Sequence, residues 1–446
     1  MLLLSSSLLP LSPFLQTSAY GFPRLQFQRR KQKGHQSKNK RVRCCVGIGG
    51  ADSDTSVLLE NDGTGTPRRI ALFIEPSPFS YVSGYKNRYQ NFIRCLQQMG
   101  DEVLVVTTNQ GLPEEFHGAE LIGSWSFPFP WYKNVQLSLA LSPRIISQVA
   151  NFKPDVIHAT SPGVMAFGAL LIAKFLSIPL VMSYHTHIPI YISNYTFSWL
   201  VKPAWLIIKF LHRLADLTLV TSTAIGQELQ KARVTSPDKI RLWNKGVDSK
   251  KFHPCYRSKE MRIRLRLMDR LPEARIAIVG DGPYREELEK MFVGTPSVFT
   301  GMLHGEELSQ AYSSGDVFVM PSESETLGFV VLEAMSSGIP VVAARAGGIP
   351  EIIPAGHEGK TGFMYTPRDL DDCVSKVEIL LKDNELRQNM GREARKEIEK
   401  YTWLAANTSL RNEQYDAAIW FWKKSQAQVF NPLRWLTKLI PKVNPT

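Results

Sequence analysis

The chain has 446 residues, enough for two or three domains at roughly 100–200 residues each. Hydrophobic residues make up 43% of it and aromatic residues 10%, a composition that excludes a disordered or fibrous protein. The formal net charge is +12, but nine of the 53 Lys and Arg residues precede Asp52 and no acidic residue does. The other 44 basic residues are nearly balanced by the 41 acidic residues. The net positive charge therefore argues for a targeting leader and against nucleic-acid binding.

Residues 1–66 are predicted to be a transit peptide and a disordered connector. The segment is rich in Ser and Arg and has no acid before Asp52, which is typical of an organelle transit peptide. The apolar run Leu2–Leu15 would also suit a secretory signal, but its positive charges follow the run instead of preceding it. We therefore expect a chloroplast protein. No apolar run reaches the roughly 18 residues of a transmembrane helix, so membrane contact would be peripheral.

Residues 67–245 alternate between strand-like and helical segments. An amphipathic helix is predicted over Tyr85–Met99. The predicted strands are short β-rich runs at Arg69–Ile74, Glu102–Thr107, Val156–Ala159, Pro179–Tyr184 and Leu217–Thr221. This alternation predicts a parallel sheet with helices on both faces and with ligands beyond the carboxyl ends of its strands.

The same alternation restarts in residues 246–402, with strands predicted at Arg275–Val279, Asp316–Met320 and Pro340–Ala344. A long aromatic-rich helix is predicted over 403–425, followed by a tail over 426–446. The sequence therefore predicts an α/β protein with two doubly wound, Rossmann-like domains.

The second domain is predicted to lack its first βα unit. Between Asp248 and Ile276 only Glu260–Leu271 reads as a helix, and no Gly occurs between Gly246 and Gly280. A βα unit would add about 20–30 residues here. Because the first strand of a doubly wound sheet is central, we expect its loss to leave the neighbouring strands with an unpaired edge.

The segment from Asp316 to Glu333 has the pattern of a phosphate site. A buried strand runs into a polar loop that ends at Gly328, and an apolar helix follows. Glycine lets a ligand approach the backbone, and the free amides and dipole of a helix start suit a diphosphate. Glu325 precedes this start and Glu333 lies more than one turn inside the helix. Both could be capping or solvated acids, but the context favours carboxylates that accept hydrogen bonds from sugar hydroxyls.

Five motifs together resemble the retaining, GT-B-fold glycosyltransferases of the large Glu-x7-Glu family. They are Gly280–Pro283, Phe299–Gly301, Pro321–Met335, Gly338–Val342 and Gly347–Glu351, and the resemblance covers most of residues 68–425. It implies a cleft with an acceptor-side domain at 67–245 and a donor domain at 246–402, crossed by the helix at 403–425. It also implies that Glu325 binds sugar hydroxyls and Glu333 the ribose. The remaining donor contacts it implies are the backbone of Gly328, Phe329 and Val330, and Thr300, Gly301 and Met302 at the base.

The resemblance also assigns residues of the first domain. His185, which follows a predicted strand, would act with Glu325 as a catalytic residue facing the donor sugar near C6, and His187 is a weaker candidate. Gly84 and Lys86 lie in the first strand–helix turn, whose counterpart closes over the diphosphate and the acceptor. Lys86 and Arg88 could equally be solvated helix residues.

The runs HTHIPIYI, LWNKGVD and SESETLGFVVLEAMSSGIPVVAARAGGIPEII resemble the plant sulfoquinovosyltransferases, the plastid enzymes that complete sulfolipid synthesis. This implies retaining transfer of sulfoquinovose from UDP-sulfoquinovose to diacylglycerol at a membrane surface. Sulfoquinovose carries a sulfonate on C6, which His185, with His187 and Lys86 as weaker candidates, would meet. The stretches 195–213 and Trp420–Lys424 mix aromatic and basic residues and could contact lipid, although the terminal helix could instead pack on the domains.

Two alternatives stay open. In the family, the missing strand leads into a loop whose Arg and Lys neutralise the diphosphate, and only Arg262, Arg264 and Arg266 are weak substitutes here. The chain could therefore be an inactive truncated or splice variant with weak nucleotide binding. It could also be a plastid UDP-galactose or UDP-glucose lipid glycosyltransferase. No DxD motif follows a strand, so Mg²⁺ is compatible but not required, and no permanently bound cofactor is expected.

Overall fold

The structure is a computed structural model that describes residues 2–5, 66–80, 84–129, 132–195, 197–265, 275–282 and 284–429. Most of the predicted leader and connector, Arg266, Pro283 and the tail from residue 430 lie outside the described residues.

The strands, in chain order, are β1 (Leu2–Ser5), β2 (Arg69–Ile74), β3 (Glu102–Thr108), β4 (Glu120–Ser124), β5 (Phe127–Phe129), β6 (Tyr132–Leu137), β7 (Val156–Ser161), β8 (Leu180–Tyr184), β9 (Leu217–Val220), β10 (Ile240–Leu242), β11 (Ile276–Val279), β12 (Ser297–Gly301), β13 (Val317–Met320), β14 (Val341–Ala344) and β15 (Phe363–Tyr365).

The α-helices are α1 (Gly84–Gln98), α2 (Pro143–Phe152), α3 (Met165–Phe175), α4 (Ile188–Tyr195), α5 (Val201–Leu214), α6 (Thr223–Lys231), α7 (Lys259–Arg264), α8 (Arg285–Met291), α9 (Gly305–Ser314), α10 (Phe329–Ser336), α11 (Ile349–Ile352), α12 (Leu370–Lys382), α13 (Asn384–Ile398), α14 (Trp403–Ser409) and α15 (Tyr415–Val429). A π-helical turn, Leu410–Gln414, joins the last two.

The first domain is built on a seven-stranded sheet in the order β10-β9-β8-β7-β2-β3-β4, and all its strand pairs are parallel. Its central strands are buried on both faces, as a parallel sheet covered by helices requires. Phe73, Leu104 and Ile157 pack in one core cluster, whereas Ile70, Leu72 and Val103 pack in another. The alternation of side chains along each strand thus supplies two cores from one sheet.

The second domain has a six-stranded parallel sheet in the order β12-β11-β1-β13-β14-β15. This is the 3-2-1-4-5-6 order of a doubly wound fold, so the two predicted Rossmann-like domains are confirmed. The first position is held by β1, where Leu2 pairs with Ile276 on one side and with Val317 on the other. The N-terminal segment therefore supplies the first strand of the second sheet.

The predicted unpaired edge is absent because the N-terminal segment occupies it. The sequence places Leu2–Ser5 in the leader, whereas the structure places this segment at the centre of the second sheet. The ladder extends to Ser5, which pairs with Val279, the last residue of β11. The carboxyl end of β1 thus reaches the edge of the sheet from which the Gly280 and Pro321 loops depart.

The C-terminal helices pack on the first domain. In the π-helical turn, the Arg411 guanidinium donates to both carboxylate oxygens of Asp101, at 2.6 and 3.0 Å, and both side chains are buried. Beyond it, the Tyr415 hydroxyl lies 2.9 Å from Nδ1 of His158. These contacts tie the end of the described chain to the strands of the first domain. Among all described helices, none has the length and apolar character needed to cross a bilayer.

Replacing Leu3 with Pro tests the role of β1. Proline removes one ladder donor and is disfavoured at the central position of a sheet, and the carbonyl left without its hydrogen bond costs about 2 kcal/mol. We expect Tm to fall by roughly 4–8 °C, with faster hydrogen exchange in β11 and β13. Leu25→Pro, elsewhere in the predicted leader, is the matched control. Equal Tm values for the two variants would show that β1 contributes nothing to the sheet.

Candidate functional site

The two domains meet at the carboxyl ends of their strands, where the candidate residues collect. Thr221, directly after β9, donates its hydroxyl to the Thr326 carbonyl at 3.0 Å. The amide and hydroxyl of Thr223 both donate to Oε1 of Glu351, at 2.8 and 2.6 Å. The loop that contains Glu325 is therefore held against the first domain, and ligands in such sheets bind at this edge.

The start of α10 offers two free backbone donors. Glu325 Oε1 accepts hydrogen bonds from the amides of Gly328 at 3.1 Å and Leu327 at 3.4 Å. The amides of Phe329 and Val330 donate to no acceptor within the described part of the chain. Of the three predicted phosphate-binding amides, one is thus used by Glu325 and two remain available, together with the helix dipole.

Glycines shape the loop around Glu325. Gly328 has φ +94°, and a Cβ there would lie 2.7 Å from Cδ1 of Ile349. Gly347 has φ +53°, and a Cβ there would lie 1.7 Å from the Glu325 carbonyl oxygen. The next amide, of Gly348, donates to that same oxygen at 3.0 Å. Burial raises the pKa of Glu325, although the amide hydrogen bonds oppose this shift. Its Oε2 keeps the capacity to accept from a hydroxyl.

Glu333 lies one turn further along α10 and faces a cavity between the domains. The cavity has a volume of about 240 Å³, and its lining includes Asn87 and Arg94 of α1 and Lys251 of the second domain. The Tyr312 hydroxyl donates to Glu333 Oε2 at 3.0 Å. Burial raises the pKa of Glu333 to about 7, against the opposing effects of Tyr312, Lys251 and Asn87. Near neutral pH this carboxyl is therefore only partly ionised.

The three predicted base contacts lie at the same edge of the second sheet. Thr300 and Gly301 end β12, and Gly301 accepts a hydrogen bond from the Gly280 amide at 2.8 Å through its carbonyl. Met302 follows with an exposed side chain. Because all strands of the sheet are parallel, this edge is shared with Glu325 and α10.

His185 follows β8 and is held by α1. Its Nε2 lies 2.8 Å from the Tyr89 hydroxyl, and the Tyr85 ring packs edge-on at 5.4 Å. Burial first, and then the charge of Arg88, hold the pKa of His185 well below its usual range. The imidazole is therefore neutral and can offer a hydrogen bond but no positive charge.

His187 is engaged elsewhere. Its Nδ1 lies 3.1 Å from the Tyr184 hydroxyl, and its Nε2 lies 3.1 Å from Oε2 of Glu228. Both ring nitrogens thus have partners inside the first domain. The structure accounts for His187 as a link between the end of β8 and α6.

The first turns of α1 contain Gly84, Lys86 and Arg88, and their surroundings differ. Gly84 opens the helix, and Lys86 Nζ donates to the Phe79 carbonyl at 3.1 Å, which braces the preceding turn. Arg88 is fully buried and donates to the Trp243 carbonyl at 2.7 Å. The interpretation of Arg88 as a solvated helix residue is therefore wrong, because the linker after β10 covers it.

Arg262 and Arg264 do not restore a phosphate clamp. Arg262 donates to Asp316 Oδ1 at 3.2 Å, and Arg264 donates to Glu307 at 2.7 Å. Both are thus committed to carboxylates of the second domain. Among the cavity-lining residues that the sequence did not single out are Asn87, Arg94 and Lys251. Across the described ranges, no group of three or more His, Cys, Asp or Glu side chains could hold a metal ion.

The pKa of Glu333 predicts how donor affinity depends on pH. An ionised carboxylate accepts ribose hydroxyl hydrogen bonds best, so affinity for UDP-glucose should rise about tenfold from pH 6 to pH 8. The free protein should show the opposite trend in stability. Because the pKa of Glu333 in the folded protein exceeds its usual 4.5, the folded protein loses stability as the pH rises from 4.5 through about 7. Glu333→Gln should weaken binding and flatten its pH profile, measured by calorimetry. An unchanged slope in this variant would refute the role of Glu333.

Comparison with known proteins matches both halves of the cleft. Residues 82–251 match Glycosyltransferase Family 4, and residues 258–397 match Glycosyl transferases group 1. The sulfoquinovosyl transferase SQD2 of Arabidopsis thaliana is 64% identical over 85% of this chain and 80% of its own length. A GDP-mannose-dependent alpha-mannosyltransferase of Mycobacterium tuberculosis is 32% identical over 65% of this chain and 82% of its own.

Solved structures share the architecture at low sequence identity. The sucrose-phosphate synthase of Thermosynechococcus elongatus superposes with a TM-score of 0.64 at 18% identity, covering 82% of this chain and all of that one. Anabaena HepE in complex with UDP-glucose has a TM-score of 0.62 at 17% identity, covering 78% of this chain and all of that one. Together, the matched halves, the shared fold and the similarity to a relative over most of both sequences show that the chain belongs to the GT-B glycosyltransferases that combine Glycosyltransferase Family 4 and Glycosyl transferases group 1 domains.

Proposed function

We propose that the chain transfers sulfoquinovose from UDP-sulfoquinovose to diacylglycerol, forming sulfoquinovosyldiacylglycerol with retention at the anomeric carbon. The observation that carries this proposal is the 64% identity over 85% of the chain to a sulfoquinovosyl transferase. The free amides at the start of α10 and the cavity beside Glu333 support a nucleotide-sugar donor.

The donor site is proposed around the start of α10. The amides of Phe329 and Val330 and the helix dipole would hold the diphosphate, and Glu333 would accept hydrogen bonds from the ribose. Glu325 would bind the sugar through the carboxylate oxygen that does not cap the helix. Thr300, Gly301 and Met302 would meet the base at the edge of the sheet.

The proposed mechanism needs no separate protein nucleophile. An oxygen of the leaving diphosphate would take the proton of the acceptor hydroxyl on the face of the sugar from which it departs. The bond from the anomeric carbon to that phosphate breaks as the bond to the acceptor oxygen forms, which retains the configuration. The protein would stabilise the charge that develops on the diphosphate and on the sugar. Neutral His185 would add a hydrogen bond at the sugar.

A surface of α3 and α5 supports contact with a lipid substrate. Leu206, Ile207 and Phe210 of α5 and Phe175 of α3 are exposed, and Phe210 stacks on Phe167. Lys202, Lys209 and Arg213 lie on the same amphipathic helix. Exposed apolar side chains beside cations suit the interface of an anionic membrane. In α15, by contrast, Phe421 is buried against the first domain, and Trp420 is the exposed member of its aromatic pair.

A peripheral location on the envelope or another plastid membrane is part of the proposal, and it rests on the composition of the leader and on the resemblance to plastid enzymes. Transfer of galactose or glucose, and an inactive variant, are the two alternatives. The identity to a sulfoquinovosyl transferase favours neither of them.

A donor panel tests the proposed function. The full chain is incubated with diacylglycerol vesicles and UDP-sulfoquinovose, UDP-galactose or UDP-glucose, and lipid products are identified by mass spectrometry. We expect sulfolipid as the main product, with an α-anomer by NMR if UDP-sulfoquinovose is the α-anomer. Glu325→Gln should lower turnover at least about 100-fold, because the sugar contact is lost. Glu323→Gln, two residues away and exposed in an ion pair with Arg368, is the matched control. Preference for UDP-galactose, or no turnover at all, would reject the proposal.

The lipid-facing surface is tested by flotation with vesicles that contain anionic lipid. The double variant Leu206→Glu and Phe210→Glu places two negative charges on this face, so we expect at least about a tenfold loss of vesicle binding. Leu370→Glu changes an equally exposed leucine of the second domain and should bind normally. Equal binding of both variants would show that this face does not contact the membrane.

A further inference from the structure

Arg88 is a fully buried cation at the junction of the two domains. It extends from α1, and its Cζ lies 4.1 Å from the centre of the Trp243 ring and 5.7 Å from that of the Phe329 ring. Trp243 belongs to the linker after β10, and Phe329 is the first residue of α10 in the other domain. The exposed fraction of Arg88 is 0%. The guanidinium is thus enclosed by groups from both halves of the cleft.

The hydrogen-bonding capacity of Arg88 is only partly used. A guanidinium has five N–H donors, and Nη2 of Arg88 donates to the carbonyls of Trp243 at 2.7 Å and Asn244 at 3.1 Å. Nε and Nη1, which carry the other three N–H groups, are buried and meet no acceptor in the described chain. The ring contacts occupy the face of the guanidinium, so these donors remain at its edges.

Arg88 also lacks a counter-charge, in contrast to the other deeply buried arginine. Arg411 is buried against Asp101, whose carboxylate accepts two of its hydrogen bonds. No ion pair among the described residues includes Arg88. Its neighbours His158 and His185 do not offer negative charge, and burial together with Arg88 itself lowers the pKa of both. A buried cation without a partner is unfavourable unless an anion completes the site.

The proposed donor has two anionic groups that could bind beside Arg88, the diphosphate and the sulfonate. The diphosphate is already provided for by the free amides and dipole of α10. Arg88 lies on the opposite wall of the cleft, where it shares the Trp243 ring with His185, whose own ring centre is 5.4 Å from it. The donor sugar would lie between these two walls, with its charged substituent directed at Arg88.

We propose that Arg88 binds the sulfonate of the donor sugar and so selects sulfoquinovose over uncharged hexoses. This inference rests on the proposed function. The sulfonate oxygens accept hydrogen bonds from Nε and Nη1 of Arg88, and the negative charge of the sulfonate offsets the positive charge of the buried guanidinium. Phe329 covers Arg88 from the second domain, so separation of the two domains opens the path by which the sulfonate enters.

The test compares two donors in two variants. Arg88→Met keeps the length and apolar packing of the side chain but removes the charge, and Arg88→Lys keeps the charge without the planar donors. We expect Arg88→Met to lower kcat/KM for UDP-sulfoquinovose about 100-fold and to change binding of UDP-glucose less than threefold. Arg88→Lys should lie between wild type and Arg88→Met for the sulfonated donor. Arg144→Gln removes an exposed arginine of the same domain that also donates to a carbonyl, and it should match wild type.

Calorimetry with UDP-sulfoquinovose, UDP-glucose and UDP, and the Tm of each variant, complete the test. Equal losses for all three ligands would place Arg88 at the diphosphate and overturn the assignment. A large fall in Tm with unchanged donor preference in the folded fraction would make Arg88 a support for the linker alone, which also overturns it. If wild type binds UDP-sulfoquinovose without transferring it, the proposed function fails. The Arg88 inference is then decided by whether Arg88→Met loses affinity for that ligand only.

Discussion

Strands β11 and β13 of the donor domain are joined into one sheet by the strand that lies between them. That position is held by Leu2–Ser5, which pairs in parallel with both neighbours. The loops after β11 and β13 carry Gly280 and the Glu325 segment, so the relative placement of the donor residues depends on this ladder. Completion of the sheet does not restore the charges of the family's phosphate loop, because no Lys or Arg follows Ser5 before Arg24. A chain cleaved at a predicted transit site would lose β1 and leave two unpaired edges in the donor domain.

The remaining charges of the cleft favour an anionic ligand. The cleft carries little negative charge, because burial raises the pKa of both Glu325 and Glu333. In addition, one carboxylate oxygen of Glu325 accepts a hydrogen bond from the Gly328 amide at the start of α10. Positive potential comes from the two free amides of α10, from Lys251 beside the cavity, and from the enclosed guanidinium of Arg88. An anionic donor is therefore favoured at both of its charged ends, whereas an uncharged hexose would leave Arg88 unsatisfied.

Local patterns allowed the sequence to predict much of this fold. Strands such as β2, β3 and β8 are continuous apolar runs, and the Glu325–Glu333 segment is a contiguous motif whose strand, loop and helix lie as expected. The strands β10 and β15 have three residues each, too few for a periodic signal. The place of β1 depends on partners more than 270 positions away, and its apolar run is the same signal that indicates a leader. The burial of Arg88 likewise depends on Trp243 and Phe329, which belong to distant segments and give no local pattern.

The most direct measurement is an experimental structure of the full-length chain in complex with UDP-sulfoquinovose. We predict the diphosphate at the amides of Phe329 and Val330, the ribose at Glu333, and the sulfonate within hydrogen-bonding distance of Arg88. β1 should remain paired between β11 and β13 in the same complex. A sulfonate that points into solvent while Arg88 stays covered by Phe329, or a nucleotide bound away from α10, would contradict the proposed donor site.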